Sequence, residues 1–274
     1  MEQVTESRRK PIVVGIGELL WDMLPSGKKA GGAPINFVYH VSCLGAEGYA
    51  ISAVGDDELG KEIVDELDKN HIQHLIEKVP YPTGTVQVEL REGIPTYTIH
   101  ERVAWDHISP TSDAIDLAEK ADAICFGTLA QRSRQSRETI QAISSFAPKD
   151  AYRLLDINLR QRYYDKEFNV LRDLFGLNGT EREVALWFIE KYGLRMFVLT
   201  AGSSHSTIYT REEISTLPTP EVTVADTVGA GDAFSGALII SLLKGKSLSE
   251  AHHFAVKTAA FVCTKEGAWP VYEE

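Results

Sequence analysis

Apolar residues follow two rhythms along the 274-residue chain. Short unbroken runs rich in β-branched residues, PIVVGIG (11–17), YAISAVG (49–55), AICFG (123–127), RLLDIN (153–158) and MFVLT (196–200), read as buried strands. The longer stretches between them carry apolar residues at helical spacing, as in DELGKEIVDELDKN (57–70). Apolar strands linked by helices predict a parallel sheet covered on both faces, with ligands beyond the carboxyl ends of the strands. One region departs from this rhythm. Thr85-Val-Gln-Val-Glu-Leu alternates strictly, with Val86, Val88 and Leu90 on one face, turns through Glu92-Gly93 and resumes at Tyr97 and Ile99. It predicts a half-exposed antiparallel hairpin, either a flap projecting from the core sheet or a plain edge hairpin. No repeat, low-complexity tract or linker divides the chain, so a single domain over 1–274 is expected.

Composition narrows the partners. With 28 basic against 39 acidic residues the formal charge is −11, which argues against nucleic acid or an anionic membrane and leaves room for a locally positive phosphate pocket. The N-terminal apolar run is broken at Glu18 and lacks a cleavage site, so no signal peptide is expected. The run near ALIISLL is much shorter than the ~20 residues of a membrane span. Cys43, Cys125 and Cys263 are far apart without metal-ligand spacing and read as three reduced, buried thiols of a cytoplasmic protein.

Candidate chemistry concentrates in DTVGAGDAFSGALII (226–240). Gly229 and Gly231 allow a tight turn and close ligand approach ahead of an apolar, buried helix beginning near Asp232. The free amides and positive end of such a helix suit a phosphoryl group. A carboxylate there is either an N-cap or a base that takes the proton of an attacking hydroxyl, and the motif alone leaves both open.

The run Asp226-Thr-Val-Gly-Ala-Gly-Asp-Ala-Phe-Ser-Gly-Ala resembles the C-terminal signature of the ribokinase-like (PfkB) sugar kinases. Gly31-Gly-Ala-Pro-Ile-Asn36-Phe, followed by Gly45 and Gly55, resembles their N-terminal signature. The wording GELLWDMLP, AGGAPINF, NLR and VADTVGAGDAF is most similar to fructokinases, and the likeness runs from IVVGIGELLWD to TKEGAWP. The resemblance implies a three-layer α/β/α core with a mainly parallel sheet, plus a small β lid including 83–103 and part of 18–30. It implies transfer of the ATP γ-phosphoryl group to a sugar's primary hydroxyl, fructose first, with ribose and 2-keto-3-deoxygluconate as alternatives. From another class, a catalytically silent sugar-binding relative is the rival.

By resemblance Asp232 is the general base and Gly229-Ala230-Gly231 the anion hole. Asp22, Gly32 and Asn36 fall at the sugar, where carboxylate and carboxamide suit a polyol. Asn158 and Arg160 follow a strand where a pocket-facing side chain emerges, Arg160 offering a planar fork to a sugar oxygen or phosphate. Thr200 and Gly202 resemble the nucleotide loop, although the family's second glycine is His205 here. The helix from Leu248 to Cys263 borders the adenine by resemblance near Ala259. Asp226, Val228 and Gly267 resemble a monovalent-cation site of hard-oxygen character, suited to K⁺. No Lys follows the glycine turn, so Mg²⁺ is expected to arrive with ATP rather than in a protein cage. His252 and His253 are adjacent and cannot share a helix face as a metal pair. Lid faces that need covering, and the habit of relatives, imply a homodimer through the β lid. Between Arg160 and Met196 the chain is shorter than its relatives, which insert a strand and helix there. Either the numbered chain omits residues, the favoured reading because loss of a core strand would leave buried backbone unpaired, or this copy has lost part of the shell. A Rossmann-type oxidoreductase is excluded because Gly15-Ile-Gly17 lacks the third glycine.

Overall fold

The computed structural model describes residues 9–24, 27–91, 94–158 and 175–272, with backbone alone over 88–97. Two compact units emerge, Met1–Gln87 with Ile99–Asp156 and Glu274, and Val88–Thr98 with Ile157–Glu273.

The first unit is built on a five-stranded parallel sheet, ordered β5-β4-β1-β8-β9. Its strands are β1 (Ile12–Ile16), β4 (Glu47–Gly55), β5 (Gln73–Val79), β8 (Ala123–Gly127) and β9 (Tyr152–Asp156). Helices α1 (Ala33–Cys43), α2 (Glu58–Lys69), α3 (Ser112–Ala118) and α4 (Arg134–Phe146) belong to the same unit. Side chains alternate across β1. Val14 and Ile16 join Ile51, Ala53, Ile124, Trp105, Ile140 and Ile143 in one core cluster. On the other face, a Cβ added at Gly15 would stand 2.3 Å from the Pro34 carbonyl oxygen, so only glycine lets α1 pack this closely. Helices therefore cover both faces, the three-layer arrangement expected from the unbroken apolar strands.

A second sheet runs in the order β3-β2-β6-β7, from β2 (Leu20–Leu24), β3 (Gly27–Gly31), β6 (Gly84–Arg91) and β7 (Ile94–Ile99). β2 pairs antiparallel with β3 and parallel with β6. Val86 is buried as its alternation predicts, whereas the side chains of Val88 and Leu90 and the turn at Glu92-Gly93 lie outside the described residues.

The second unit contains an antiparallel sheet, β10 (Phe197–Thr200), β11 (His205–Tyr209) and β12 (Ile214–Pro218). MFVLT was expected to extend the parallel sheet; the partner described for it is β11, antiparallel, because the tight turn around Gly202 returns the chain directly. Among the described residues the unit also holds helices α5 (Glu181–Tyr192), α6 (Ala230–Leu243) and α7 (Leu248–Cys263). Phe234, Ala237, Leu238, Ile239 and Ile240 of α6 are all buried, as an apolar helix without a polar stripe requires. Among the described residues no helix is long and apolar enough to cross a membrane. The three cysteines, all among the described residues, form no disulfide, and only Cys125 is buried: Cys263 is half-buried, and Cys43 is exposed where it ends α1 ahead of Leu44-Gly45.

Candidate active site

In the first unit the acceptor candidates surround one glycine pair. Asp22 lies on β2 opposite Lys29 of β3, half-buried, and a Cβ on Gly31 would stand 3.1 Å from its Oδ2. Gly32 has φ 124°, and a Cβ there would meet the Glu18 carbonyl oxygen at 2.1 Å, so two constraints demand glycine. Gly32 is also the N-cap of α1 and supplies no side-chain oxygen to it; its carbonyl takes the Asn36 N–H at 2.8 Å. Asp22 and Asn36 thus flank the same Gly31-Gly32 turn, one carboxylate and one buried carboxamide. Such groups recognise hydroxyls. Glu18, 2% exposed at the end of β1, adds a third polar side chain that the sequence pattern did not single out.

In the second unit α6 begins at Ala230, two residues before the position expected, and its N-cap is Gly229 at φ 80°. The capping position is thus filled by a residue with no side chain, and Asp232 stands three residues beyond it. Asp232 lies in the first turn and is 6% exposed. A Cβ on Gly229 would press 2.8 Å from the Ala268 side chain and 2.9 Å from its Cα, whereas one on Gly231 would meet nothing within 4 Å. The glycines therefore serve different ends: Gly229 makes the turn, and Gly231 leaves the approach to the helix N-terminus open. That end of the helix carries amide donors and positive potential.

Asp226 organises the neighbouring loop. Its Oδ1 accepts from the Val228 N–H at 3.1 Å and its Oδ2 from the Gly267 N–H at 3.0 Å, which brings the three cation-site candidates together. Gly267 has φ 77°, and it and Val228 meet the carboxylate through their N–H groups, which leaves Asp226 as the one side-chain oxygen donor shown among the three. Thr200 and Gly202 form the exposed turn from β10 to β11, with Gly202 at φ 53° and its carbonyl accepting from Thr219 Oγ1 at 2.8 Å. His205, in place of the expected glycine, hydrogen-bonds Ser204 at 2.9 Å and stands 4.0 Å from Glu181 on α5. Ala259 is half-buried on α7. Asn158 follows β9 in a left-handed conformation at φ 36°, tolerated by Asn. Arg160 and the segment FNVL lie outside the described residues.

His252 sits fully buried between Ser206 of β11, at 2.8 Å, and Ser215 of β12, at 2.7 Å, with its ring edge against Phe234 of α6. Burial, then the charge of His253, pushes its pKa down to about 4, so it is a neutral tie within the unit. His253 faces the Ser249 carbonyl instead, at 2.8 Å.

A model of the pfkB family carbohydrate kinases matches residues 26–273. The uncharacterized sugar kinase PH1459 of Pyrococcus horikoshii is 28% identical, over 94% of this chain and 92% of its own. That alignment runs over 286 positions, more than the 274 residues here, so the relative has residues without a counterpart in this chain. Its crystal structure in complex with ATP superposes with TM-score 0.75 over 94% of each chain at 28% identity. A fructokinase of Rhizobium leguminosarum bv. trifolii is 27% identical over 84% of this chain and 79% of its own. A Vibrio cholerae O395 fructokinase double mutant, bound to fructose, ADP and a potassium ion, shares the fold at TM-score 0.77, 21% identity and 96% of each chain. The match over nearly the whole length settles the identification: the chain belongs to the pfkB family of carbohydrate kinases, phosphotransferases whose acceptor is an alcohol group.

Proposed function

We propose that the protein transfers the γ-phosphoryl group of ATP to a primary hydroxyl of fructose. The observation that carries this reading is Asp232, buried in the first turn of a helix capped by a glycine rather than by its own carboxylate. Asp232 takes the proton from the acceptor hydroxyl as its oxygen bonds to the γ-phosphorus; the bond from that phosphorus to the bridging oxygen breaks and ADP leaves. Amides of Gly229, Ala230 and Gly231 stabilise the charge on the phosphoryl oxygens. Mg²⁺ carried by the nucleotide neutralises phosphate charge, and K⁺ held by Asp226 and the carbonyls near Val228 and Gly267 would add positive potential beside the same loop. The structure of PH1459 with ATP and that of the Vibrio fructokinase with fructose, ADP and potassium support these ligands as the ones to test.

Asp22, Gly32 and Asn36 bind the acceptor, Asn158 and Arg160 add contacts to it, and Thr200, Gly202 and Ala259 border the nucleotide. Residues 83–103 with part of 18–30 act as a lid that excludes water, and two lids pair in a cytoplasmic homodimer. A second reading, a silent sugar-binding relative, is favoured by His205 and by the residues absent relative to PH1459. The two separate in one assay: ADP release from Mg·ATP, with and without K⁺, across fructose, ribose, 2-keto-3-deoxygluconate and nucleosides. Turnover selective for fructose is expected. Sugar binding without turnover of any acceptor would establish the silent relative.

A further inference from the structure

The strand that carries Asp22 is held from behind by a helix to which no site residue was assigned. Trp21, next to Asp22 on β2, is buried on the opposite side of the strand, and its indole N–H donates to the Leu59 carbonyl of α2 at 2.9 Å. Lys28 of β3 pairs with Glu62 of α2 and lies 4.8 Å over the Trp21 ring. The third strand, β6, is tied by Asp57, the N-cap of α2. Its carboxylate accepts from the Gly60 N–H at 2.7 Å, from the Thr83 N–H at 2.8 Å and from the Thr83 hydroxyl at 2.6 Å. Thr83 Oγ1 in turn accepts from the Gly55 N–H at 3.0 Å.

The buckle is closely fitted. A Cβ on Gly55 would stand 2.5 Å from Asp57 Oδ2, and one on Gly60 would stand 2.2 Å from the Gly55 carbonyl oxygen and 2.8 Å from Thr83 Oγ1. Capping α2 needs only the bond to Gly60; two of the three bonds leave the helix for Thr83, which is 3% exposed and immediately precedes β6. From there the register runs straight to the site: Leu20 pairs with Gly84, Trp21 with Thr85 and Asp22 with Val86.

We infer that Asp57, through its buckle with Thr83, is a positioning residue for the acceptor: it fixes where β6 begins and so where β2 presents Asp22. This rests on the reading of Asp22 as an acceptor ligand, so Asp22→Asn is the reference variant. Thr83→Val removes the hydroxyl at constant shape and leaves the α2 cap intact, Thr83→Ser keeps the hydroxyl, and Asp57→Asn places a donor against the Thr83 N–H. With fructose and Mg·ATP, Thr83→Val and Asp57→Asn are each expected to raise the fructose KM about five- to tenfold. The kcat and nucleotide KM should stay within about twofold, Thr83→Ser should restore wild-type values, and the double variant should be no worse than either single.

A raised fructose KM in Asp22→Asn with none in Thr83→Val or Asp57→Asn would overturn the positioning role while leaving the acceptor reading in place. An unchanged KM in Asp22→Asn would remove the acceptor reading and this proposal with it. Lower thermal stability and kcat at unchanged fructose KM in Thr83→Val would show a purely structural buckle, also overturning it.

Discussion

Helices α1 and α6 open alike and differ in what they offer. Helices α2, α3, α5 and α7 are capped by the side chains of Asp57, Thr111, Thr180 and Ser247, which accept from their own first turns. At α1 and α6 the N-cap is a glycine with positive φ, Gly32 or Gly229, and no side-chain oxygen is supplied. Main-chain carbonyls serve instead: the Ile35 N–H donates to the Gly32 carbonyl at 3.0 Å, and the Ala230 N–H to the Thr227 carbonyl at 3.3 Å. The first turn of α1 holds no acid and brings in Pro34 and buried Asn36; that of α6 holds buried Asp232, beside the open approach at Gly231. In the proposed function the first opening would recognise neutral hydroxyls, and the second would handle phosphoryl charge and a proton. The two openings share a glycine cap, and the first-turn side chain tells them apart.

Substituting the capping glycines should break the comparison in different ways. Gly229→Ala forces a left-handed backbone on an L-residue and drives Cβ against the Ala268 backbone; Gly32→Ala does the same against Glu18. Each is expected to cost about 2–4 kcal/mol of stability by denaturant unfolding. In the folded fraction Gly229→Ala should abolish turnover, whereas Gly32→Ala should chiefly raise the acceptor KM. The reverse assignment would undo the division of labour.

Gly231→Ala sharpens the point. Its added methyl meets no protein atom within 4 Å, so stability should move by less than about 0.5 kcal/mol. The kcat/KM for nucleotide should nevertheless fall about tenfold or more, because in the proposed function the methyl would stand where phosphoryl oxygens approach. Unchanged kinetics would separate Gly231 from the anion hole.

A further effect concerns acid. His252 titrates near 6.5 when unfolded and about 4 when folded, so the native state binds fewer protons between these values and the stability present above pH 6.5 is lost as pH falls toward 4. The upper bound is about 3 kcal/mol. Because His252 braces α6 through Phe234, hydrogen exchange of α6 should accelerate across this window before that of α1, and His252→Asn should flatten the pH dependence. Equal acceleration in both helices would contradict the assignment.

Strands β1, β4 and β8 were legible because their apolar runs are unbroken, and α6 because a glycine motif meets an apolar helix. Strands β2, β3 and β5, with the sequences LWDML, GKKAG and QHLIEKV, were not, since lysines, glycines and edge polar residues blur both periods. Asp232, Gly229 and Gly32 carry local signatures readable from a dozen residues. The Asp57–Thr83 buckle does not: its partners stand 26 residues apart and meet only in the folded chain. The pattern Asp57-x-x-Gly60 signals a helix cap but gives no hint of the second partner.

The most direct test of the central claim is single-turnover phosphorylation of fructose by Asp232→Asn, with nucleotide affinity measured in parallel. The expected result is a rate lower by about 10² to 10⁴ with nucleotide affinity within about threefold of wild type, because the substitution removes a proton acceptor at nearly constant shape. A rate within about tenfold of wild type would contradict Asp232 as the base and return it to a structural role at the start of α6.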